Sequence, residues 1–444
     1  MDLITVNHTK NGRPIRPLNG VNGGPVTLNF RRDAKKLFED AHIPYCRLHD
    51  IEGTLGGGKF VDVRNIFPIW DLDENDPKSY DFTFTDEYLK QIDACGAQSF
   101  YRLGETIDHG YLKAHVRPPE DAEKWARICA NIVRHYNEGW ADGFHYGIRY
   151  WEIWNEPENP PMWTGTQAEY FELYRVTANL LKREFPDIRV GGYASCGVYA
   201  AFDENADDFF RSFITWFDDF LEYVKSPETA SPLDFFSWHI YSSDPAQVLA
   251  HARYCREKLD KAGFEKTEAI LDEWNWAGKD MFERMRDMTG ASFTADVMCR
   301  LQKTDDVDVA CYYDAQPDQA YGGLFLRHTE TPSRAYYAVK AFGKLYALGE
   351  EAQYAAETDL AVAAATDGTT VAAVISNYEK DSRPVKLVFP GAKTLRLYLL
   401  DERRDLSLIA ETPCDEIITE AGRNTVLYAE AVREESQGNG ACSE

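Results

Sequence analysis

The segment "IRYWEIWNEPENPPMW", residues Ile148–Trp163, decides how this chain is interpreted. Its first seven residues are mostly β-branched or aromatic, a composition that favours a buried strand. The pattern stops at Asn155, Glu156 and Pro157. Burying a charged glutamate costs several kcal/mol unless it is paired or protonated. The end of this strand is therefore either a structural ion pair or a reactive site.

Strand-like and helix-like patterns alternate on both sides of this segment. The strand-like runs are 17–24, 43–48, 97–103, 148–154, 188–194, 233–241, 268–274 and 307–314. The helical patterns lie at about 29–41, 85–95, 119–138, 166–185, 206–225, 245–262, 290–303 and 333–347. Such alternation is typical of an α/β fold with a parallel sheet, and eight units favour a closed (β/α)8 TIM barrel. An open doubly wound sheet is the alternative.

The pattern changes after Gly349 to short alternating segments separated by turn sequences such as "TDGT" and "FPGA". These features predict a C-terminal antiparallel β-sandwich. The opening residues also have hairpin-like turn chemistry and are expected to join it. We therefore predict a catalytic barrel at 18–348, a sandwich formed by 1–17 plus 349–433, and a disordered tail at 434–444.

Charge and composition exclude several classes of partner. The formal charge of −25 and pI near 4.8 repel phosphate backbones and anionic lipids, so we expect no nucleic acid or membrane partner. No window is apolar enough for a membrane span or an export signal. The nine cysteines lack CxxC pairs, which favours reduced thiols and a cytoplasmic location. Oligomeric state is left open, with a homo-oligomer as one alternative.

Two glutamates end predicted strands on the same face of the barrel. Glu156 ends the fourth strand and Glu273, in "AILDEWNW", ends the seventh. The C-terminal ends of barrel strands form the active face. Two carboxyl groups across one pocket suit cleavage of a glycosidic bond, and Trp274 and Trp276 offer indole faces on which sugar rings stack.

Three motifs resemble those of the retaining glycoside hydrolases with catalytic residues on strands four and seven. They are most similar to glycoside hydrolase family 39, which contains β-xylosidases and α-L-iduronidases. The segment "YCRLHD" is similar to that family's Arg-x-His on strand two, and "GGLFLRHTETPSRAYYAVKAF" to its entry into the last helix. The three motifs that carry the resemblance are "EIWNEPE", "DFFSWHIYS" and "ILDEWNW".

The resemblance implies roles for individual residues. Glu156 would be the acid/base, with a pKa raised by burial and by Glu273, and Glu273 would be the nucleophile at about 5 to 5.5 Å from it. Asn155 would bind the sugar 2-hydroxyl. His239 and Tyr241 would contact the sugar and orient Glu273. The remaining expected sugar contacts are His49, Trp274, Trp276 and Tyr313.

Some features depart from the family pattern. Similar xylosidases carry a Trp at the end of strand eight and then a carboxylate pair, whereas this chain has Tyr312 or Tyr313 followed by Asp318 and Gln319. The segment "GTLGGGKF", Gly53–Phe60, has phosphate-loop spacing but lacks the Ser or Thr that would hold magnesium, so a flexible active-site loop is favoured. The histidines show no metal-binding spacing, and we expect neither metal nor cofactor.

These observations predict a retaining exo-glycosidase of the β-xylosidase type that acts on short oligosaccharides or glycosides. A rival is another specificity, iduronidase-like or arabinosidase-like. Uronate binding needs a basic residue, for which Lys59, Arg64 and Arg102 are candidates. A second rival is a non-catalytic sugar-binding protein. The sequence does not identify the sugar, its anomer or the length of the substrate.

Overall fold

The computed structural model describes residues 1–27, 32–51, 59–107, 116–317 and 321–432. Asp318, Gln319, the predicted tail and all of the Gly53–Phe60 motif except its last two residues lie outside the described residues. Two compact units divide the chain. One contains Pro17–Lys279 and Asp305–Thr331, and the other contains Met1–Arg16, Asp280–Thr304 and Pro332–Glu444.

Strands and helices follow the predicted order. The strands are β1 Asp2–Pro14, β2 Gly20–Asn22, β3 Tyr45–Arg47, β4 Gln98–Leu103, β5 Tyr150–Ile153, β6 Arg189–Ser195, β7 Phe235–Ser242, β8 Glu268–Trp276, β9 Val309–Tyr312, β10 Glu350–Glu357, β11 Ala361–Thr366, β12 Thr370–Asn377, β13 Arg383–Val388, β14 Thr394–Leu400, β15 Ser407–Thr412, β16 Glu416–Ala421 and β17 Thr425–Val432. The helices are α1 Lys35–Asp40, α2 Val63–Ile66, α3 Thr83–Ala94, α4 Ala122–Asn137, α5 Gln167–Glu184, α6 Asp208–Lys225, α7 Pro245–Ala262, α8 Met281–Arg284, α9 Met288–Gln302 and α10 Arg334–Leu348.

Strands β2 to β9 pair in parallel and close into a barrel. The prediction of a (β/α)8 barrel is confirmed, and each of the eight strands lies within its predicted segment or extends it by one or two residues. Thr166 caps α5 and forms a full capping box with Glu169. Helix α3 begins at Thr83, two residues before the predicted start of that helical pattern, and the Thr85 hydroxyl donates to the Phe60 carbonyl.

The barrel interior has an apolar layer below a polar one. Phe100, Tyr150, Phe235, Ile270, Val309 and Cys311 form the buried apolar cluster. Side chains two residues apart on a strand point the same way. Glu152 therefore follows Tyr150 into the interior, and Asp272 follows Ile270, each one layer nearer the C-terminal end. This layering places buried carboxyl groups directly beneath the active face.

The second unit is built on a nine-stranded sheet with the order β15-β14-β17-β12-β11-β10-β1-β13-β16. It forms the predicted sandwich, and β1 joins it by pairing antiparallel with β10 and parallel with β13. Alternate residues of its strands, such as Val362, Ala364 and Val385, bury one shared apolar core. Helices α9 and α10 group with this unit, and the predicted boundary at residues 348/349 stays a prediction.

In the described part of the chain, no helix combines the length and the apolar character needed to cross a bilayer.

Candidate active site

The end of β5 is shaped by an unusual backbone. Trp154 and Glu156 have φ values of 73° and 46°, in the left-handed region that residues with a side chain seldom adopt. The Glu156 amide donates to the carbonyls of Tyr193 and Ala194 on β6, which stabilises this conformation. The strand is thereby stopped and its last carboxyl group is fixed. Backbone strain of this kind concentrates at functional positions.

The end of β8 presents two adjacent acids to the same interior. Consecutive residues of a regular strand point to opposite faces, yet both Asp272 and Glu273 contact Arg47. The register with β9 shifts between Leu271 and Trp274, a bulge that explains how both side chains turn inward. Sequence reasoning identified Glu273 and missed Asp272, because strict alternation assigns adjacent residues to different faces.

Arg47 on β3 joins the two strand ends. Its guanidinium is fully buried and donates to Glu152 Oε2 at 2.8 Å, to Glu273 Oε1 at 2.8 Å and to Asn155 Oδ1 at 2.6 Å. A planar guanidinium holds several acceptors in fixed directions. Arg47 therefore sets the relative positions of Asn155 and Glu273.

His239 on β7 contacts the acid of β5. Its Nδ1 lies 2.7 Å from Glu156 Oε1, while its Nε2 lies 3.6 Å from Glu273 Oε1. We expected His239 to orient Glu273, but its short hydrogen bond is to Glu156. Asn159 donates to the other Glu156 oxygen at 3.1 Å.

The expectation that the pKa of Glu156 is raised is wrong for the free protein. Burial does favour its neutral form, but the hydrogen bond and the charge of His239 outweigh burial and lower the pKa of this carboxyl. Burial alone would lower the pKa of His239, yet Glu273 and Asp272 raise it well above its usual value. These pKa directions favour an imidazolium on His239 and a carboxylate on Glu156.

Glu273 is held by two donors. Tyr241 donates its hydroxyl to Glu273 Oε2 at 2.8 Å, and Arg47 occupies Oε1. Burial raises the pKa of Glu273 against the opposing charges of His239 and Arg47. One ligand-type atom each of Glu156, His239 and Glu273 lies within 4.8 Å of the others, the spacing of a metal site. The hydrogen bond between His239 and Glu156 explains why these groups lie so close together. The expectation of a metal-free site stays a prediction.

A second polar group lies beside Glu273. His49 Nε2 is 3.9 Å from Glu273 Oε1 and 3.6 Å from Asp50 Oδ2. Tyr313 donates its hydroxyl to that Asp50 oxygen at 2.9 Å, and its ring lies edge-on to Tyr241 and Tyr321. The structure thus brings His49 and Tyr313 to the site, as the sequence predicted, and adds Asp50.

The two tryptophans of β8 are less open than expected. Trp274 is 1 % exposed and packs edge-on against Tyr312, so it presents no open ring face for stacking a sugar. Trp276 is buried at the end of the strand, with 6 % of its surface exposed. A contact between Trp276 and a sugar stays a prediction. For Trp274 the buried ring removes the physical argument for such a contact.

The contributions of Arg47, Glu152 and Asp272 were missed by sequence reasoning. A signal was present, since each is a charged residue inside an otherwise apolar strand run. Charged residues are rarely buried unless they are paired. Three of them on separate strands of one barrel indicate a shared interior cluster.

Comparisons with known proteins agree with this geometry. The model of the family described as Glycosyl hydrolases family 39 matches residues 3–273. A beta-xylosidase of Geobacillus stearothermophilus is 26% identical over 382 residues, which cover 76% of this chain and 70% of that protein. A beta-xylosidase of Caldicellulosiruptor saccharolyticus is 26% identical over 232 residues, 49% of this chain and 40% of that protein.

Solved structures resemble the whole described architecture. A glucosidase from Croceicoccus marinus has a TM-score of 0.82 at 24% identity, and the match covers 98% of this chain and 100% of that chain. A monomeric beta-xylosidase from Caulobacter crescentus has a TM-score of 0.73 at 19% identity, with 98% and 100% covered. At these identities the likeness establishes the fold alone.

Proposed function

Because this chain belongs to glycosyl hydrolase family 39, it is a glycoside hydrolase with a carbohydrate substrate, and we propose that it is a retaining exo-glycosidase of the β-xylosidase type. The close approach of Glu156 and Glu273, within 4.8 Å between oxygens, carries the proposal. Retaining enzymes place their two carboxyl groups about 5–5.5 Å apart and inverting enzymes about 6.5–9.5 Å. The short distance favours double displacement.

Glu273 is the proposed nucleophile. Tyr241 and Arg47 fix its two oxygens, which pre-organises the carboxylate for attack on the anomeric carbon. Attack forms a glycosyl ester on Glu273 and releases the leaving-group oxygen, which takes a proton from Glu156. Water, deprotonated by Glu156, then hydrolyses the ester.

The proton for the leaving group is stored on the His239–Glu156 pair. Its transfer along the 2.7 Å hydrogen bond from His239 Nδ1 makes Glu156 the neutral acid. When Glu273 becomes an ester, its negative charge disappears. The negative charge that remains in the cluster then holds a proton on Glu156 less strongly. The pKa of Glu156 is therefore lower in the second half of the reaction than in the first, and the deprotonated carboxylate is free to accept the proton of the attacking water.

The charges around the site favour a neutral sugar. The basic residues considered for a uronate each have a protein partner: Arg102 donates to Asp62 at 2.8 Å, Arg64 to the Arg117 carbonyl at 3.1 Å, and Lys59 to the Ile107 carbonyl. Glu273 and its neighbouring acids would repel a carboxylate on the substrate. The similarity to two beta-xylosidases also supports a xyloside-like specificity. The exo mode and the cytoplasmic location stay predictions, and the oligomeric state stays open.

A pair of variants tests the assignment. Glu273→Ala removes the nucleophile, and kcat should fall by about 10⁴-fold or more even with a dinitrophenyl leaving group. Glu156→Ala should still form the intermediate from that substrate and then stall, since no base activates water. Azide should rescue Glu156→Ala with a glycosyl azide of retained configuration, and Glu273→Ala with the inverted product.

Glu268→Ala is a matched control, since Glu268 begins the same strand β8 and bonds to Arg149 at 2.9 Å. It should keep the wild-type stereochemical course. Azide products of swapped configuration would reverse the two roles. A wild-type protein that binds sugars but hydrolyses no nitrophenyl glycoside would instead support the non-catalytic alternative.

A further inference from the structure

We propose that Asp50 is a specificity-determining residue that binds a hydroxyl group of the sugar held at Glu273, at position 3 or 4 of the ring. The inference rests on the proposed glycosidase function and names a contact that this function does not require. It starts from the contacts of Asp50, His49 and Tyr313.

Asp50 is held in place by its neighbours. Tyr313 donates to its Oδ2 at 2.9 Å, and Gln316 Nε2 donates to its backbone carbonyl at 3.2 Å. The residue has a φ of 54°, in the left-handed region that glycine tolerates best. A carboxylate kept at such a position costs backbone strain, and strain of this kind points to a function for the side chain.

His49 and Asp50 have unused hydrogen-bonding capacity next to the nucleophile. Asp50 Oδ1 and the Nδ1 of the buried His49 have no hydrogen-bond partner among the described residues. Buried polar atoms are nearly always hydrogen-bonded, so two such atoms in adjacent residues indicate that a ligand supplies the partners. The Asp50 side chain is 21 % exposed, which leaves a ligand access to it.

The chemistry of the two groups fits hydroxyls. Burial raises the pKa of Asp50 to about 7, so near neutral pH its carboxyl group is often protonated and both donates and accepts. Burial and Arg47 lower the pKa of His49 well below its usual value, so the imidazole is neutral and also does both. A sugar hydroxyl likewise donates one hydrogen bond and accepts others.

The geometry selects the hydroxyls far from the reacting carbon. The anomeric carbon must face Glu273, the leaving group faces Glu156, and Asn155 is the proposed partner of the 2-hydroxyl. Asp50 is one contact further from Glu273 than His49. The hydroxyls that remain for it are those at positions 3 and 4.

The test combines substrate and protein changes. The best nitrophenyl glycoside from a panel is compared with its 3-deoxy and 4-deoxy analogues, using the wild type, Asp50→Gly and Asp50→Asn. Glycine suits the observed φ and removes the carboxyl without strain, so its melting temperature should not fall. Asp93→Asn, at an exposed position of α3, is the matched control and should behave as the wild type.

We expect Asp50→Gly to lower kcat/KM on the parent glycoside by about 10- to 100-fold, the range of a hydrogen bond to a charged or strongly polar group. Asp50→Asn, which keeps a donor and an acceptor, should lose less. With the wild type, one deoxy analogue should have a kcat/KM lower than that of the parent glycoside by a similar factor. With Asp50→Gly, kcat/KM of that analogue should be less than about three-fold below that of the parent glycoside, because the same contact is removed twice.

Additive losses for both deoxy analogues, or an unchanged kcat/KM of Asp50→Gly on the parent glycoside, would overturn the inference while leaving the glycosidase proposal intact. A wild type that hydrolyses nothing in the panel overturns both.

Discussion

Two arginines in near-identical sequence, "YCRL" and "FYRL", occupy neighbouring strands and have different surroundings. Arg47 on β3 contacts Glu152, Asp272 and Glu273, so the carboxyl groups around it outnumber the cations. Arg102 on β4 contacts Asp62, whose oxygens also accept from the Thr106 amide at 2.7 Å and the Thr106 hydroxyl at 2.8 Å.

The difference distinguishes the Arg47 cluster, which serves the proposed reaction, from the Arg102–Asp62 pair, which supports the fold. Asp62 accepts from one cation, Arg102, and from two further donors of Thr106, so its charge is matched and its role is to fix the chain after β3. The Arg47 cluster has more acids than it can compensate, and burial raises the pKa of Glu152 to about 8. Carboxyl groups with strongly raised pKa values are common at active sites.

The largest effect is expected from replacing each arginine with methionine. Arg47→Met leaves buried acids without their cation and releases Glu273 and Asn155, so kcat/KM should fall by at least about 10³-fold. Arg102→Met should lower the free energy of unfolding by about 3–5 kcal/mol. The kcat/KM of its folded fraction should stay within about ten-fold of the wild type. Denaturant unfolding and active-site titration measure the two quantities. Equal loss of activity in both variants would contradict the comparison.

Glu158 is a buried acid near Glu156 that has no ion pair among the described residues, and it gives the next effect. Burial raises the pKa of Glu158 to about 8, although it accepts from the Ser195 hydroxyl at 2.8 Å. Between about pH 4.5 and pH 8 the folded state therefore binds the proton that the unfolded state has released, so stability falls as pH rises.

Glu158→Gln removes this dependence and should be more stable than the wild type at pH 8 by about 4 kcal/mol, with little difference below pH 4.5. Urea unfolding across this pH range is the measurement. Glu222→Gln, an exposed position on α6, is the matched control. A constant difference between Glu158→Gln and wild type at all pH values would show that the proton is not held at Glu158.

The stored proton predicts a pH effect. In His239→Asn the imidazole is gone, so Glu156 alone must supply the acid, and the basic limb of the kcat/KM profile should move to lower pH by about one unit or more. Activity at neutral pH should fall by about 10- to 100-fold. His145→Asn, an exposed histidine, should leave the profile unchanged. An unmoved basic limb in His239→Asn would place the proton elsewhere.

The smallest effect is expected at Asn159, which donates to Glu156 Oε2 at 3.1 Å. Asn159→Ala loses one hydrogen bond to a carboxylate, and kcat/KM on substrates with poor leaving groups should fall by about three- to ten-fold. Dinitrophenyl substrates, which need no proton, should be less affected. Asn205→Ala, at an exposed position, is the control. A larger loss with the dinitrophenyl substrate would show that Asn159 acts on Glu273 or on the sugar.

The sequence by itself determined the order of strands and helices, the closure of eight parallel strands and the two acids that end β5 and β8. These features follow from local patterns, since periodicity and strand-terminal charges are readable within a few residues. The strand-terminal positions of Glu156 and Glu273 suggested a shared pocket without coordinates, and the family resemblance supplied their proposed roles.

Only the tertiary structure decided which arginine serves the site and where the proton resides. Arg102 is paired in register with Glu152, yet Glu152 accepts its hydrogen bond from Arg47 across the interior. A bulge in β8 turns Asp272 and Glu273 the same way, and the charges of these acids raise the pKa of His239 beside Glu156. The physical reason is that side-chain direction and local charge depend on residues distant in sequence, which local patterns do not encode.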